Sequence, residues 1–212
     1  MIRIKTLLDL QVQLVYMRNA VSVDVEKALK HAKRSMPRKQ FHNAGHVKRV
    51  HEAATNLAGS GYEAKVVRVA AAFHDVGHSE SANGHEAISA DKAEEYLRNQ
   101  GVENEQYIQD VKKAILSTEM NQGSGAFHTN IKNQYGKILA DADVHNFGLS
   151  WEKFIARNEE VRQEVGAPKG KSWYENTLSL LERHKWHAGG GQMYQNKQDN
   201  IRRLKEKIEE LD

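Results

Sequence analysis

VVRVAAAFHDVGH, residues 66–78, is the stretch from which the rest of the chain can be read. Val66, Val67, Val69, Ala70, Ala71, Ala72 and Phe73 form an apolar run broken only by Arg68. The run is too short for a membrane span and has the length of a buried element. It ends in His74-Asp75, followed by Gly77-His78. Burying an ionised carboxylate is costly unless it is paired or bound to a cation. An adjacent His-Asp pair supplies one nitrogen and one oxygen ligand to a single divalent ion. Taken alone the dipeptide says little, because a buried Asp at a helix end more often bonds a backbone amide or an Arg. Further ligands elsewhere in the chain would decide between the two.

Composition sets the class. The chain has 212 residues, 28% charged and 39% hydrophobic, ordinary for a globular protein. Two prolines leave few positions that forbid a helix. A net charge of +3 allows anionic substrates without indicating a nucleic-acid coat. The absence of cysteine excludes disulfides, thiolate metal sites and a Cys nucleophile. The start, MIRIKTLLDLQVQLVY, is interrupted by Asp9, Gln11 and Gln13 and lacks a clear cleavage site. It reads as an amphipathic helix of a cytoplasmic protein with no membrane segment. Seven of the eleven histidines lie between His31 and His85.

Helical spacing recurs along the chain, and no stretch offers a strand partner, so the chain reads as one all-α domain. Residues 1–38 carry N-terminal helices, 41–150 a helical core, and 151–212 C-terminal helices. Residues 4–18 form the first helix. Ser22 is placed to cap a second, which Pro37 stops. The basic stretch Lys30–Lys39 could touch phosphate but reads first as a solvated helix end and loop. In residues 41–58, Val47, Val50, Ala54 and Leu57 make an apolar face. His42 and His46 are spaced to share a helix face, with His46 on the core side, while His51 reads as surface. The central helix is expected from about Glu63 to Phe73. His85 opens a helix to about Asn99 whose buried stripe includes Ala87, Ile88, Ala90, Ala93, Tyr96 and Leu97. Asn104 caps the next. Residues 121–133 are rich in Gly, Ser and Asn and read as a mobile loop. YGKILADADVHNF, residues 135–147, repeats the apolar-then-acidic anomaly with Asp141, Asp143 and His145. Ser150 caps a helix with Trp151, Phe154, Ile155, Val161 and Val165 inward. Residues 166–171 form a loop. Ser172 and Glu175 match a capping box for the next helix. Gly189–Gly191 is a flexible break, and the last helix carries the stripe Ile201, Leu204, Ile208 and Leu211, suited to docking on the body or on a partner in a homodimer.

The anomalies combine into a donor set. His46 faces the core on one helix, His74 and Asp75 end a second, and Asp141 or Asp143 sits on a third. Two imidazoles and two carboxylates suit Mn, Fe, Co, Ni or Zn and, less well, Mg. Four protein ligands on an octahedral ion leave positions for water and substrate. Without a metal the same residues would be hydrogen-bonded inside a helical bundle, which requires three buried ionisable sites to coincide by chance.

The order H…HD…D resembles that of the HD-domain metal-dependent phosphohydrolases. FHNAGH at 41–46 is similar to the Y-H-N-x-x-H of cyclic-nucleotide phosphodiesterases and of a family of bacterial HD phosphohydrolases. HDVGH at 74–78 resembles the phosphodiesterase H-D-x-x-H. HEAISA at 85–90, DADVHNFG at 141–148 and Arg162-Gln163-Glu164 match later motifs of the bacterial family. The resemblance spans about residues 41–204. It departs in having Phe41 for Tyr, in lacking a His soon after Thr118, and in lacking a locatable purine-binding Gln or a GYP motif.

This resemblance implies a compact HD-domain helical bundle and the ligands His46, His74, Asp75 and Asp143. Asp143 is preferred over Asp141 because it stands directly after Ala and shortly before Asn146. Asp141 would then support the ligands from behind or lie at the surface. His42 matches the residue that protonates the leaving oxygen. His78 matches one beside the metal and the substrate phosphate, and Glu86, with His85 beside it, one that orients water. A second metal could bind through Asp75, His78 and Glu86. Lys48, Arg49, Arg162 and Lys171 are candidate phosphate contacts. The implied activity is hydrolysis of a phosphate ester of a nucleotide or related small molecule by metal-activated water. The alternative is a sensor with the same fold that binds metal or nucleotide without turnover, for which His42 as proton donor would have no use.

Overall fold

The computed structural model describes residues 22–120 and 130–211. Among these residues the chain forms nine α-helices and no strand. They are α1 (Val25–Ser35), α2 (Ala44–Leu57), α3 (Gly61–Phe73), α4 (His85–Asn99), α5 (Glu105–Leu116), α6 (Gln134–Asp143), α7 (Trp151–Glu164), α8 (Lys171–Arg183) and α9 (Gln192–Glu209). Short 3-10 turns follow α3 at Val76–Ser79 and α6 at His145–Gly148. No described helix is long and apolar enough to cross a membrane. The helix expected over 4–18 and most of the loop expected over 121–133 lie outside the described residues.

α3 is the central post. A helix apolar on all sides must be surrounded, and α1, α2, α4, α5 and α6 all pack on it. Val66, Val67, Val69 and Ala70–Ala72 are fully buried. Arg68, the one charge in the run, pairs with Glu26 of α1 at 3.0 Å. Local capping sets the register of the two helices that flank α3 at the site. Asn43 accepts from the Gly45 and His46 amides at the start of α2, and Asn133 from the Gly136 amide at the start of α6. Gly136 is required by close approach: a Cβ there would lie 2.1 Å from Ser117 Oγ, at the end of α5. A second apolar cluster holds Phe147, Phe154, Tyr174, Leu181 and Leu204 between α7, α8 and α9. Buried Asn200 ties α9 to the turn after α6, donating to the Phe147 and Leu149 carbonyls at 3.1 and 2.9 Å.

Several local expectations are corrected. Asp24, not Ser22, caps α1, its side chain accepting from the Lys27 amide. α3 begins at Gly61, two residues before Glu63. His51 is buried, 5% exposed, because α2 is covered by α1, α3 and α6 together and not on one face alone. Ala87 of the expected stripe is exposed and Ile88 half-buried. Val165 is 62% exposed, since α7 ends before it. The Ser172–Glu175 capping box does not form: Gly170, at φ 150°, caps α8, so Lys171 is already helical and Ser172 lies inside the first turn. α9 docks most of its stripe on the body, with Leu204 buried and Ile201 and Ile208 packed beside it, but Leu211, past the end of the helix, is exposed.

Candidate metal centre

Three helix ends converge. α2 begins directly after Asn43, so His46 falls in its first turn and faces the core, 1% exposed. α3 stops at Phe73, and His74 caps it with its Nδ1 donating to the Ala71 carbonyl at 2.9 Å. A carbonyl only accepts, so the proton sits on Nδ1 and the Nε2 lone pair points into the cluster. Asp75 follows, and Asp143 is the last residue of α6.

Four atoms meet there. The Nε2 atoms of His46 and His74 are 3.3 Å apart. Each lies 3.2 Å from Asp75 Oδ2 and 3.3 Å from Asp143 Oδ1. Ligands about 2.0–2.2 Å from one ion stand roughly 3–3.5 Å from each other. For His46, His74 and Asp75, whose ligand atoms all lie close to one another, the spacing fits a donor set around a single cation, and Asp143 stands beside both imidazoles. Asp75 Oδ2 is buried and makes no hydrogen bond despite these neighbours. This geometry and the mixed nitrogen/oxygen chemistry fit a divalent metal.

Electrostatics agree. Burial works against charge at all four groups. At His46 the adjoining Asp143 and Asp75 carboxylates outweigh it and raise the pKa above 6.5. At His74 the Asp75 charge and the contact with Asp143 raise it well above. The imidazoles in turn hold Asp75 and Asp143 well below the usual carboxylate range against the same burial. The two carboxylates thus make the cluster a place that favours positive charge.

A second group of donors adjoins the first: His42, Asp75 and His78. Asp75 Oδ1 lies 3.2 Å from His85 Nε2 and 3.9 Å from His78 Nε2. The His78 ring stacks between those of His85 and His42, with centroids at 3.7 and 4.1 Å. Burial, reinforced by the charges of His42, His85 and Lys39 and only partly offset by Asp75, pushes the His78 pKa down to about 3. His78 is thus neutral near pH 7. His85 is raised instead, its hydrogen bond to Asp75 outweighing burial. Glu86 is buried against His85, Oε2 to Nδ1 3.6 Å, and is not a member of this group among the described residues.

His42 lies off α2, just before its cap, so it meets His46 across the cap and not along one helix face; their ring centroids are 5.7 Å apart. Its Nδ1 sits 2.6 Å from Glu164 Oε1, and Glu164 Oε2 accepts from the Phe41 and His42 amides at 2.7 and 2.9 Å. Burial opposes charge on Glu164, but these bonds outweigh it and hold its carboxyl below the usual range. The C-terminal end of α7 thus fixes the ring. The sequence singled out Glu164 only as the end of an Arg-x-Glu pattern; the fold brings it 122 residues back along the chain.

Asp141 stands outside the donor set and is fully buried. Its carboxylate accepts from the His187, Ala188 and Gly189 amides at 2.6–3.0 Å. It is neither a surface residue nor aimed at the cluster, and the glycine-rich segment read as a free break is clamped at its start. Of the candidate phosphate contacts, Lys48 is exposed and pairs with Glu52. Arg49 pairs with Glu160. Arg162 is held by Glu159 and the Ala167 carbonyl. Lys171 opens α8.

The centre opens on a cleft of about 1570 Å³ lined by His42, Asp75, His78, His85, Glu86 and Asp143, among others. His46 and His74 lie beneath its floor, almost wholly buried. Residues 43–147 match the family model described as the HD domain. That span runs from the cap of α2 to the turn after α6 and contains all four converging donors. No curated protein matches the chain.

Proposed function

The chain belongs to the HD-domain superfamily, and on that premise we propose that it is a metal-dependent phosphohydrolase acting on a phosphate ester of a nucleotide or related small molecule. The observation that carries this reading is the pair of imidazole nitrogens, each 3.2–3.3 Å from the Asp75 and Asp143 carboxylates, opening on a large cleft beside a carboxylate-held histidine. His46, His74, Asp75 and Asp143 hold one divalent ion. When bound, such an ion supplies Lewis acidity, which lowers the pKa of water and polarises a phosphoryl oxygen. His74 is preset for that work by its Nδ1–H bond to Ala71.

His42 delivers the proton to the leaving oxygen from Nε2, while Glu164 on Nδ1 orients the ring. Neutral His78, between His42 and His85, offers a nitrogen to the substrate phosphate or to a second ion shared through Asp75. Glu86, lining the cleft, orients water.

The test is elemental analysis of purified protein, with hydrolysis of p-nitrophenyl phosphate and bis(p-nitrophenyl) phosphate measured after loading with Mn, Ni or Zn. The native chain is expected to hold at least one ion and turn over one ester class, and His74→Ala to lose both. A folded native protein that binds no metal, or that hydrolyses esters equally well after chelation, would overturn the reading.

A further inference from the structure

Four cations line the cleft from one stretch of chain. Lys33 and Arg34 come from the last turn of α1, and Arg38 and Lys39 from the loop beyond Pro37. Several other cations are paired with acids, Lys48 with Glu52, Arg68 with Glu26, Lys92 with Glu80, and Arg98 with Glu94 and Glu105, whereas exposed Lys113, Lys137, Lys153 and Lys185 stand singly on the outer surface among the described residues. Among the described residues none of the four cleft cations has such a partner. Favourable interaction with the negative end of α1 accounts for Lys33 and Arg34. It does not account for Arg38 and Lys39, which stand past the cap at Met36.

The strip and the metal centre share one cavity, and the charge of Lys39 is felt at His78. Glu86 and Glu119 also line the cleft, but they come from other segments and pair with none of these cations. Small-molecule sites usually enclose about 300–1,000 Å³, so at about 1570 Å³ the cleft has room for more than one phosphate group held at the metal.

We propose that the Lys33–Lys39 strip receives a second anionic group of the ligand, so that the site favours small molecules carrying phosphate at two separate positions, of the nucleoside bisphosphate kind. The inference rests on the phosphohydrolase reading for the fate of the first phosphate. The second phosphate is bound and not transformed.

The test measures binding, not turnover. Mn-loaded protein carrying His42→Gln, which keeps the four donors and removes the proton donor, is titrated calorimetrically with adenosine 5′-monophosphate and with adenosine 3′,5′-bisphosphate. The bisphosphate is expected to bind at least about tenfold tighter at low salt, with the advantage shrinking in about 1 M salt, where charges are screened beyond about 3 Å. Adding Lys33→Gln, Arg34→Gln and Arg38→Gln brings the two affinities together; Arg38→Gln alone removes part of the advantage and serves if the combined variant does not fold. Equal binding before the strip is changed, no binding of either nucleotide, or an advantage that survives its removal overturns the inference. The two readings fail separately. A bisphosphate preference in a protein whose native form hydrolyses no ester removes only the hydrolase. Hydrolysis of p-nitrophenyl phosphate without that preference removes only the strip.

Discussion

Asp141→Asn and Asp143→Asn, two residues apart on α6, should fail in opposite ways. Asp141 is fully buried and accepts from three consecutive backbone amides at 2.6–3.0 Å. Hydrogen bonds to a charged group contribute about 1.5–3 kcal/mol each. The Asn variant keeps the shape but loses the charge, and it turns an NH₂ toward N–H donors where an oxygen stood. Breaking a buried charge interaction in this way costs about 3–5 kcal/mol. For a chain of this size each kcal/mol moves Tm by about 2–4 °C, so a fall of roughly 6–20 °C is expected. The donor set is untouched, and the folded variant should carry as much metal as the native chain. Asp143→Asn should lose the ion, because Oδ1 is one of the four converging atoms. The assay is thermal unfolding followed by circular dichroism, alongside elemental analysis of dialysed protein. An Asp141→Asn protein with native Tm would refute the clamp. One that loses its ion while Asp143→Asn keeps it would refute the donor assignment.

Gly136→Ala drives a Cβ to 2.1 Å from Ser117 Oγ; it should cost about 1–3 kcal/mol in denaturant unfolding and weaken metal retention, because α6 carries Asp143. His42→Gln should lower kcat by about 10²- to 10⁴-fold with the ion retained. Glu164→Gln should give part of that loss and alter the pH profile of kcat, since Glu164 acts through the His42 ring. Ion-free protein should be most stable near neutrality. His46, His74 and His85 are raised, so the folded state holds protons that the unfolded chain releases above pH 6.5, and stability falls as pH rises. His78 and His145 are pushed down by burial to about 3 and about 4, so below pH 6.5 the unfolded chain takes protons that the folded one refuses. Metal displaces protons from His46 and His74, so the gain in Tm on adding Mn should grow from about pH 6 to about pH 8; a gain independent of pH would contradict the assignment of His46 and His74 as ligands.

Much of the architecture was legible from local rules. An all-apolar run must be enclosed, and Asn104 starts a helix because its side chain accepts an amide bond that the first turn leaves open; Asn43 and Asn133 follow the same rule, although only the structure shows them as caps. Reading failed where two residue types competed for one local role. Asp24 caps where Ser22 was expected, and Gly170, at φ 150°, starts α8 before the Ser172 capping box can act. It also failed where burial depends on neighbours: His51 is enclosed only because three helices cover α2.

The sequence by itself determined that the chain is helical, that its histidines and acids gather at the ends of apolar helices, and that His46, His74, Asp75 and one of two aspartates belong together. Periodicity and capping act within a few residues, so those features are written locally. Which aspartate faces the cluster, that Glu164 grips His42 from 122 residues away, that Asp141 holds residues 187–189, and that a basic stretch read as solvated lines the cleft were decided by the tertiary structure alone. Each depends on how whole helices are rotated and docked against one another, and the energy that sets this comes from apolar surface buried between segments far apart in the chain.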